Sequence, residues 1–142
     1  MSNKILVADD DSLLRGLLEH KLAVAGFEVD IAEDGGAALE LARTMKYDLM
    51  VLDAMMPVMD GFEVLRRLKN DPDTASLPVV MLTARRGEHD VLDALERGAA
   101  EYLTKPFIPD ELVLRIRKRI KDERARLDVS DLQQEVPTER FA

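Results

Sequence analysis

Short apolar runs alternate with amphipathic stretches along most of this chain. Residues 5–8 form the first run, Ile-Leu-Val-Ala, which stops abruptly at Asp9, Asp10 and Asp11. A short apolar run with such boundaries reads as a buried strand. Residues 12–25 then place Leu13, Leu14, Leu17, Leu18 and Leu22 at helical spacing, and Gly26 stands where a helix stops. The alternation continues and predicts strands at 27–32, 49–52 and 78–82, with a short one around Tyr102 and Leu103. It predicts helices at 36–46, with Ala37, Leu41 and Met45 inward, at 61–70, and at 90–97 before Gly98. Pro109 opens the last helix, because its fixed φ suits a first helical turn.

Five strand–helix pairs in alternation imply an α/β protein. The strands are apolar without in/out alternation, so both of their faces are covered. The expected architecture is a doubly wound, five-stranded parallel sheet with helices on both faces, flavodoxin-like. No internal repeat or low-complexity segment interrupts it. Beyond residue 122 the chain turns polar, and Pro137 ends any helix. Ile116, Ile120 and Leu127 keep a helical spacing across that point. The division expected is a domain at 1–122 and, at 123–142, a helical extension, linker or solvated tail.

Composition narrows the function. A chain of 142 residues is one ordinary domain. It has no cysteine, which excludes disulfides, thiolate metal sites and thiol nucleophiles, and fits a cytoplasmic location. A net charge of −8 argues against holding nucleic acid through the general surface. No apolar run reaches the roughly 20 residues of a membrane span, so no membrane partner is expected. The N-terminus turns acidic within its first ten residues, unlike a signal peptide.

The chemistry gathers at strand ends. In an open parallel sheet, ligands bind beyond the carboxyl ends of the strands. Here those ends carry Asp9 and Asp10, Asp53, Thr83, and the run Thr104-Lys105-Pro106. One acid in such a place is ordinarily a solvated loop residue or a cap, and Asp11 or Ser12 suits a cap. Three carboxylates together stay ionised only beside a compensating cation. Oxygen ligands favour a hard ion such as Mg²⁺ or Ca²⁺. Metal, ammonium and hydroxyl around one carboxylate would suit phosphoryl transfer, with Asp53 as nucleophile.

These residues resemble the receiver domain of bacterial two-component response regulators, from about Lys4 to Lys121. The resemblance is carried by ILVADDD at 5–11, VLDAMMPVMDG at 51–61, VVMLTA at 79–84 and YLTKPF at 102–107. Each motif is weak alone, and the four in order are highly specific. The resemblance implies a signalling switch, not an enzyme with an external substrate: the domain catalyses its own phosphorylation and slow dephosphorylation. Asp53 would be the phosphoacceptor and a metal ligand. Asp10 would bind Mg²⁺ (or Mn²⁺ in its place) directly, Asp9 through water, and Met55 through its backbone carbonyl. Thr83 and Lys105 would bind phosphoryl oxygens, and the Lys105–Pro106 peptide would be cis. Thr83 and Tyr102 would transmit the change to a face built from the fourth helix, fifth strand and fifth helix.

The partners implied are a sensor histidine kinase or phosphotransfer protein, and a downstream effector or missing output domain. The partner-selecting surface would be the first helix, around Leu14, Arg15 and Leu18. A phosphorylation-dependent homodimer is a further expectation, with Glu101–Arg115 and Glu96–Arg117 as cross-subunit pairs. Val91 opposite Glu111, and Ala100, depart from that pattern. Met55 and Arg85 flank the path of an attacking water, and Met55 cannot orient it, so slow dephosphorylation is expected. Three rivals remain. A phosphatase of the haloacid dehalogenase type needs an acid where Met55 stands. A flavin mononucleotide binder needs a glycine- or hydroxyl-rich first loop, not three acids. A degenerate, docking-only receiver would not keep Asp53, Thr83 and Lys105.

Overall fold

The computed structural model of the protein describes residues 3–84 and 88–135, with side chains described at 3–84 and 92–125. Its strands are β1 (Lys4–Ala8), β2 (Glu28–Ala32), β3 (Leu49–Asp53), β4 (Val79–Thr83) and β5 (Glu101–Thr104). The helices between and after them are α1 (Ser12–Val24), α2 (Gly35–Thr44), α3 (Gly61–Lys69), α4 (Glu88–Glu96) and α5 (Pro109–Glu135). The strands form one parallel sheet in the order β2-β1-β3-β4-β5. The doubly wound α/β expectation is met.

The period of two along a strand sorts the core into two layers. Leu6, Ala8, Met50, Leu52, Val79 and Met81 point to the face covered by α2, α3 and Ala94 of α4. Ile5, Val7, Leu49, Val51, Val80 and Leu82 point to the face covered by α1 and α5. β3 and β4 are buried at every position, whereas the edge strand β2 is mostly part-exposed. Central strands need apolar side chains on both faces, hence the unbroken apolar runs.

The first three helices begin on short acids. Asp11 accepts from the N–H groups of Leu13 and Leu14, Asp34 from Ala37, and Asp60 from Glu63. Each such cap stabilises its helix by about 1 kcal/mol. Gly26 at φ 98° and Gly98 at φ 106° follow α1 and α4, in a conformation glycine adopts without strain.

Three expectations about faces need correction. Leu13 is 85% and Leu17 41% exposed, while Leu18 and Leu22 are fully buried and Leu14 half-buried. The leucines of α1 cover too wide an arc for all of them to face the sheet. Leu18 is therefore core and not a partner-selecting surface residue. In α2 the buried positions are Gly35, Ala38, Leu39 and Ala42, with Ala37 and Leu41 only partly buried. Met45 is exposed, because the helix ends at Thr44 and Met45 is already extended at φ −120° and ψ 157°.

The last helix passes residue 122 without a break and reaches Glu135. Its inner side is anchored by Leu112, Val113, Ile116 and Ile120. At 27 residues it is about 40 Å long. Among the described residues, no helix is long and apolar enough to cross a membrane.

Candidate functional site

The register of the sheet brings the strand ends together. Asp53 pairs with Leu82, and Thr83 with Thr104. Past the last rungs the backbone stays tied: Ala54 N–H donates to Leu82 O at 2.8 Å, and Lys105 N–H to Thr83 O at 2.7 Å. Asp9 N–H donates to Ala32 O at 3.2 Å. Asp9, Asp53, Thr83 and Lys105 therefore stand along one edge. Asp9 and Thr83 are fully buried, Asp53 is 3% exposed, and Asp10 is exposed.

Asp9, Asp10 and Asp53 each offer a carboxylate oxygen, and these three atoms lie within 4.8 Å of one another. Lys105 Nζ lies 3.2 Å from Asp9 Oδ2 and 3.4 Å from Asp53 Oδ2. The remaining Asp9 oxygen accepts from Asp11 N–H at 2.9 Å, and Asp53 Oδ1 from Met55 N–H at 3.3 Å. The Lys105–Pro106 peptide is cis, as expected.

The electrostatics follow from burial. Burial pushes the Asp53 carboxyl up to about 6, and the neighbouring Asp9 charge adds to this. Lys105 and the Met55 N–H pull the other way and do not cancel it. Burial alone would lower Lys105, but Asp53 and Asp9 outweigh it and hold the ammonium above its ordinary range. One ammonium therefore leaves the cluster short of positive charge. An oxygen-only donor set with that deficit fits a hard divalent cation.

The other predicted residues are placed as follows. Met55 is 58% exposed beside Asp53. Tyr102 is half-buried and packs against the core layer of Leu52 and Met81. Arg85 lies outside the described residues, as do the side chains of Val91 and its neighbours in α4 before residue 92. Within the chain, Arg115 pairs with Glu111 at 2.9 Å and Glu101 at 3.8 Å, and Arg117 donates to Ala25 O at 3.2 Å.

Two features escaped the sequence reading. Gly35 and Gly61 allow backbone contact around the Asp53 loop: a Cβ at Gly61 would lie 2.2 Å from Asp53 O, and one at Gly35 1.9 Å from Met59 O. Arg15 Nη1 donates to Asp9 O at 2.9 Å. Its signal in sequence is faint, a base one turn after a cap, leaning toward the helix N-terminus as helical side chains do.

The chain matches the response regulator receiver domain family over residues 5–117. It is 41% identical to the DNA-binding response regulator MtrA of Mycobacterium tuberculosis, over 99% of this chain and 62% of that protein. It is 47% identical to the response regulator PleD of Caulobacter vibrioides, over 82% of this chain and 26% of that one. The chain thus spans less than two thirds of the length of either. The structure of the Francisella response regulator 1452 receiver domain superposes with a TM-score of 0.82 at 36% identity, covering 86% of this chain and 99% of that one.

Proposed function

This chain belongs to the response regulator receiver domain family, and on that premise we propose that its signalling state is set by Mg²⁺-dependent phosphoryl transfer to Asp53. The observation that carries the reading is the cluster of three carboxylates, two of them buried and paired with the half-buried Lys105 ammonium.

Asp10, Asp9, Asp53 and the Met55 carbonyl would hold the cation. Bound there, it would supply the positive charge the cluster lacks and offset the charge of an incoming phosphoryl group. With its charge so compensated, Asp53 ionises and its oxygen attacks phosphorus. The bond from phosphorus to the donor's leaving atom breaks, and the leaving group departs with the electron pair. Lys105, kept protonated, offsets charge on one phosphoryl oxygen, and the Thr83 hydroxyl donates to another. Thr83 moving toward the phosphoryl group frees space for Tyr102 to turn inward. That change biases the face of α4, β5 and α5 through contacts present in only one state.

The phosphoryl source is a sensor histidine kinase, a phosphotransfer protein or a small acyl phosphate. Leu13 and Leu17 of α1, and Ile108 after Lys105, are exposed apolar side chains that suit such a protein partner. The readout is a downstream effector or an output domain joined through α5, with residues 1–122 as the switch and 123–142 as the connection. Where the switched face dimerises, Arg115 must exchange its pairs within the chain for pairs across it. Dephosphorylation is slow, since Met55 offers no group to orient water.

The test is intact mass after incubation with Mg²⁺ and a small acyl phosphate. Wild type gains one phosphoryl group, and Asp53→Asn and chelated wild type do not. No gain on folded wild type would leave a docking module.

A further inference from the structure

We infer that Arg15 is a positioning residue for the divalent-cation site, holding the peptide that links Asp9 to Asp10. The inference rests on the cation reading above.

Asp9 is held from several sides. Its carboxylate is engaged at both oxygens, by Asp11 N–H at 2.9 Å and Lys105 Nζ at 3.2 Å. Its backbone N–H bonds Ala32 O. Its carbonyl lies past the last rung between β1 and β3, which pairs Ala8 with Leu52. Arg15 supplies that carbonyl with a charge-assisted bond at 2.9 Å. The same guanidinium reaches Glu33, after β2, at 3.4 Å. The Arg15 side chain is only 12% exposed, so its bond to Asp9 O is a packed contact, whereas Glu33, at 76%, keeps its end of the ion pair in solvent.

The bond matters through geometry. The carbonyl of Asp9 and the N–H of Asp10 belong to one rigid peptide plane. Turning that plane swings the side-chain bonds of both acids. Asp10 is exposed, and no side-chain bond among the described residues fixes its carboxylate as Asp9's is fixed, so its aim depends chiefly on that plane. Mg²⁺ demands near-ideal ligand placement and responds strongly to such outer contacts.

Charge and geometry predict opposite signs. If Arg15 acted by charge alone, removing it would make the acidic cluster more negative and tighten Mg²⁺. A positioning role predicts weaker binding. The experiment is calorimetric titration of the whole 142-residue chain with MgCl₂, comparing wild type, Arg15→Met and Arg15→Lys. The expected result is a Kd for Mg²⁺ raised roughly tenfold in Arg15→Met and clearly raised in Arg15→Lys, which keeps the charge and loses the fork. In acyl phosphate reactions the Mg²⁺ concentration giving half the maximal rate rises, while the plateau stays within about twofold. Binding of Mg²⁺ by Arg15→Met as tight as wild type, or tighter, overturns the inference. If Arg15→Met does not fold, Arg15→Lys decides, because it keeps the charge: wild-type affinity overturns the inference, and weaker binding supports it. Failure of the wild type to bind Mg²⁺ would instead defeat the cation reading itself.

Discussion

The Lys105 ammonium lies 3.4 Å from the Asp53 carboxylate, although Asp53 ends β3, Lys105 follows β5, and β4 runs between those strands. The lysine side chain spans the end of β4 to reach its partner. It touches Asp9 as well, so one cation serves two buried carboxylates. Lys105→Met would leave both with less compensation. At neutral pH, without divalent cations, urea unfolding should show a loss of about 2 kcal/mol, held below the value for a fully buried pair by the partial exposure of Lys105. Unchanged stability would mean that water already screens the pair.

Asp53 carries a raised pKa, and the sign of its effect can be worked out. Its folded value of about 6 exceeds the ordinary 3.8, so the folded chain binds this proton more tightly than the unfolded chain. That contribution to stability is complete below the unfolded value and is lost as pH rises through about 6. Asp53→Asn cannot lose it. In chelator, the variant should gain on wild type by about 2–3 kcal/mol between roughly pH 4 and pH 7. Added Mg²⁺ should raise wild type and not the variant. Parallel stability curves would contradict the raised pKa.

Val58 sits at φ 69°, and Met59 N–H donates to Pro57 O at 2.7 Å across it. This three-residue turn is strained for a β-branched residue. Val58 is 84% exposed, so its side chain gives little packing in return. Val58→Asn should raise stability by about 1 kcal/mol in urea unfolding. A loss would show that the turn tolerates valine without strain.

Gly61 and Gly35 stand where backbone meets backbone. The Cβ of Gly61→Ala would lie 2.2 Å from Asp53 O, and that of Gly35→Ala 1.9 Å from Met59 O. Neither neighbour is a flexible side-chain end. Each variant should lose about 2–3 kcal/mol, read as a lower thermal midpoint. Gly61→Ala should also slow acyl phosphate labelling at saturating Mg²⁺, because the displaced carbonyl belongs to Asp53. Wild-type labelling would show that the loop shifts without moving the carboxylate.

Much of this protein is legible in its sequence. The central strands are, because a strand covered on both faces must be apolar at every position, as Leu49 to Leu52 are. The strand ends are, because Asp9, Asp53 and Thr83 each break an apolar stretch with a polar group, Thr104 and Lys105 follow Tyr102 and Leu103, and a parallel sheet sets all its carboxyl ends on one side. The inward side of α1 is not. Five leucines satisfy helical spacing in more than one rotation, and only docking on β1 and α5 selected Leu18 and Leu22 over Leu13. Nor does local pattern show that a Cβ at Gly35 would strike Met59, that Val58 lies at positive φ, or that Arg15 holds the Asp9 carbonyl. Those are distances between separate segments or backbone angles imposed by closure of a loop. Periodicity reports how one segment meets its environment, and contact between segments exists only once the chain has folded.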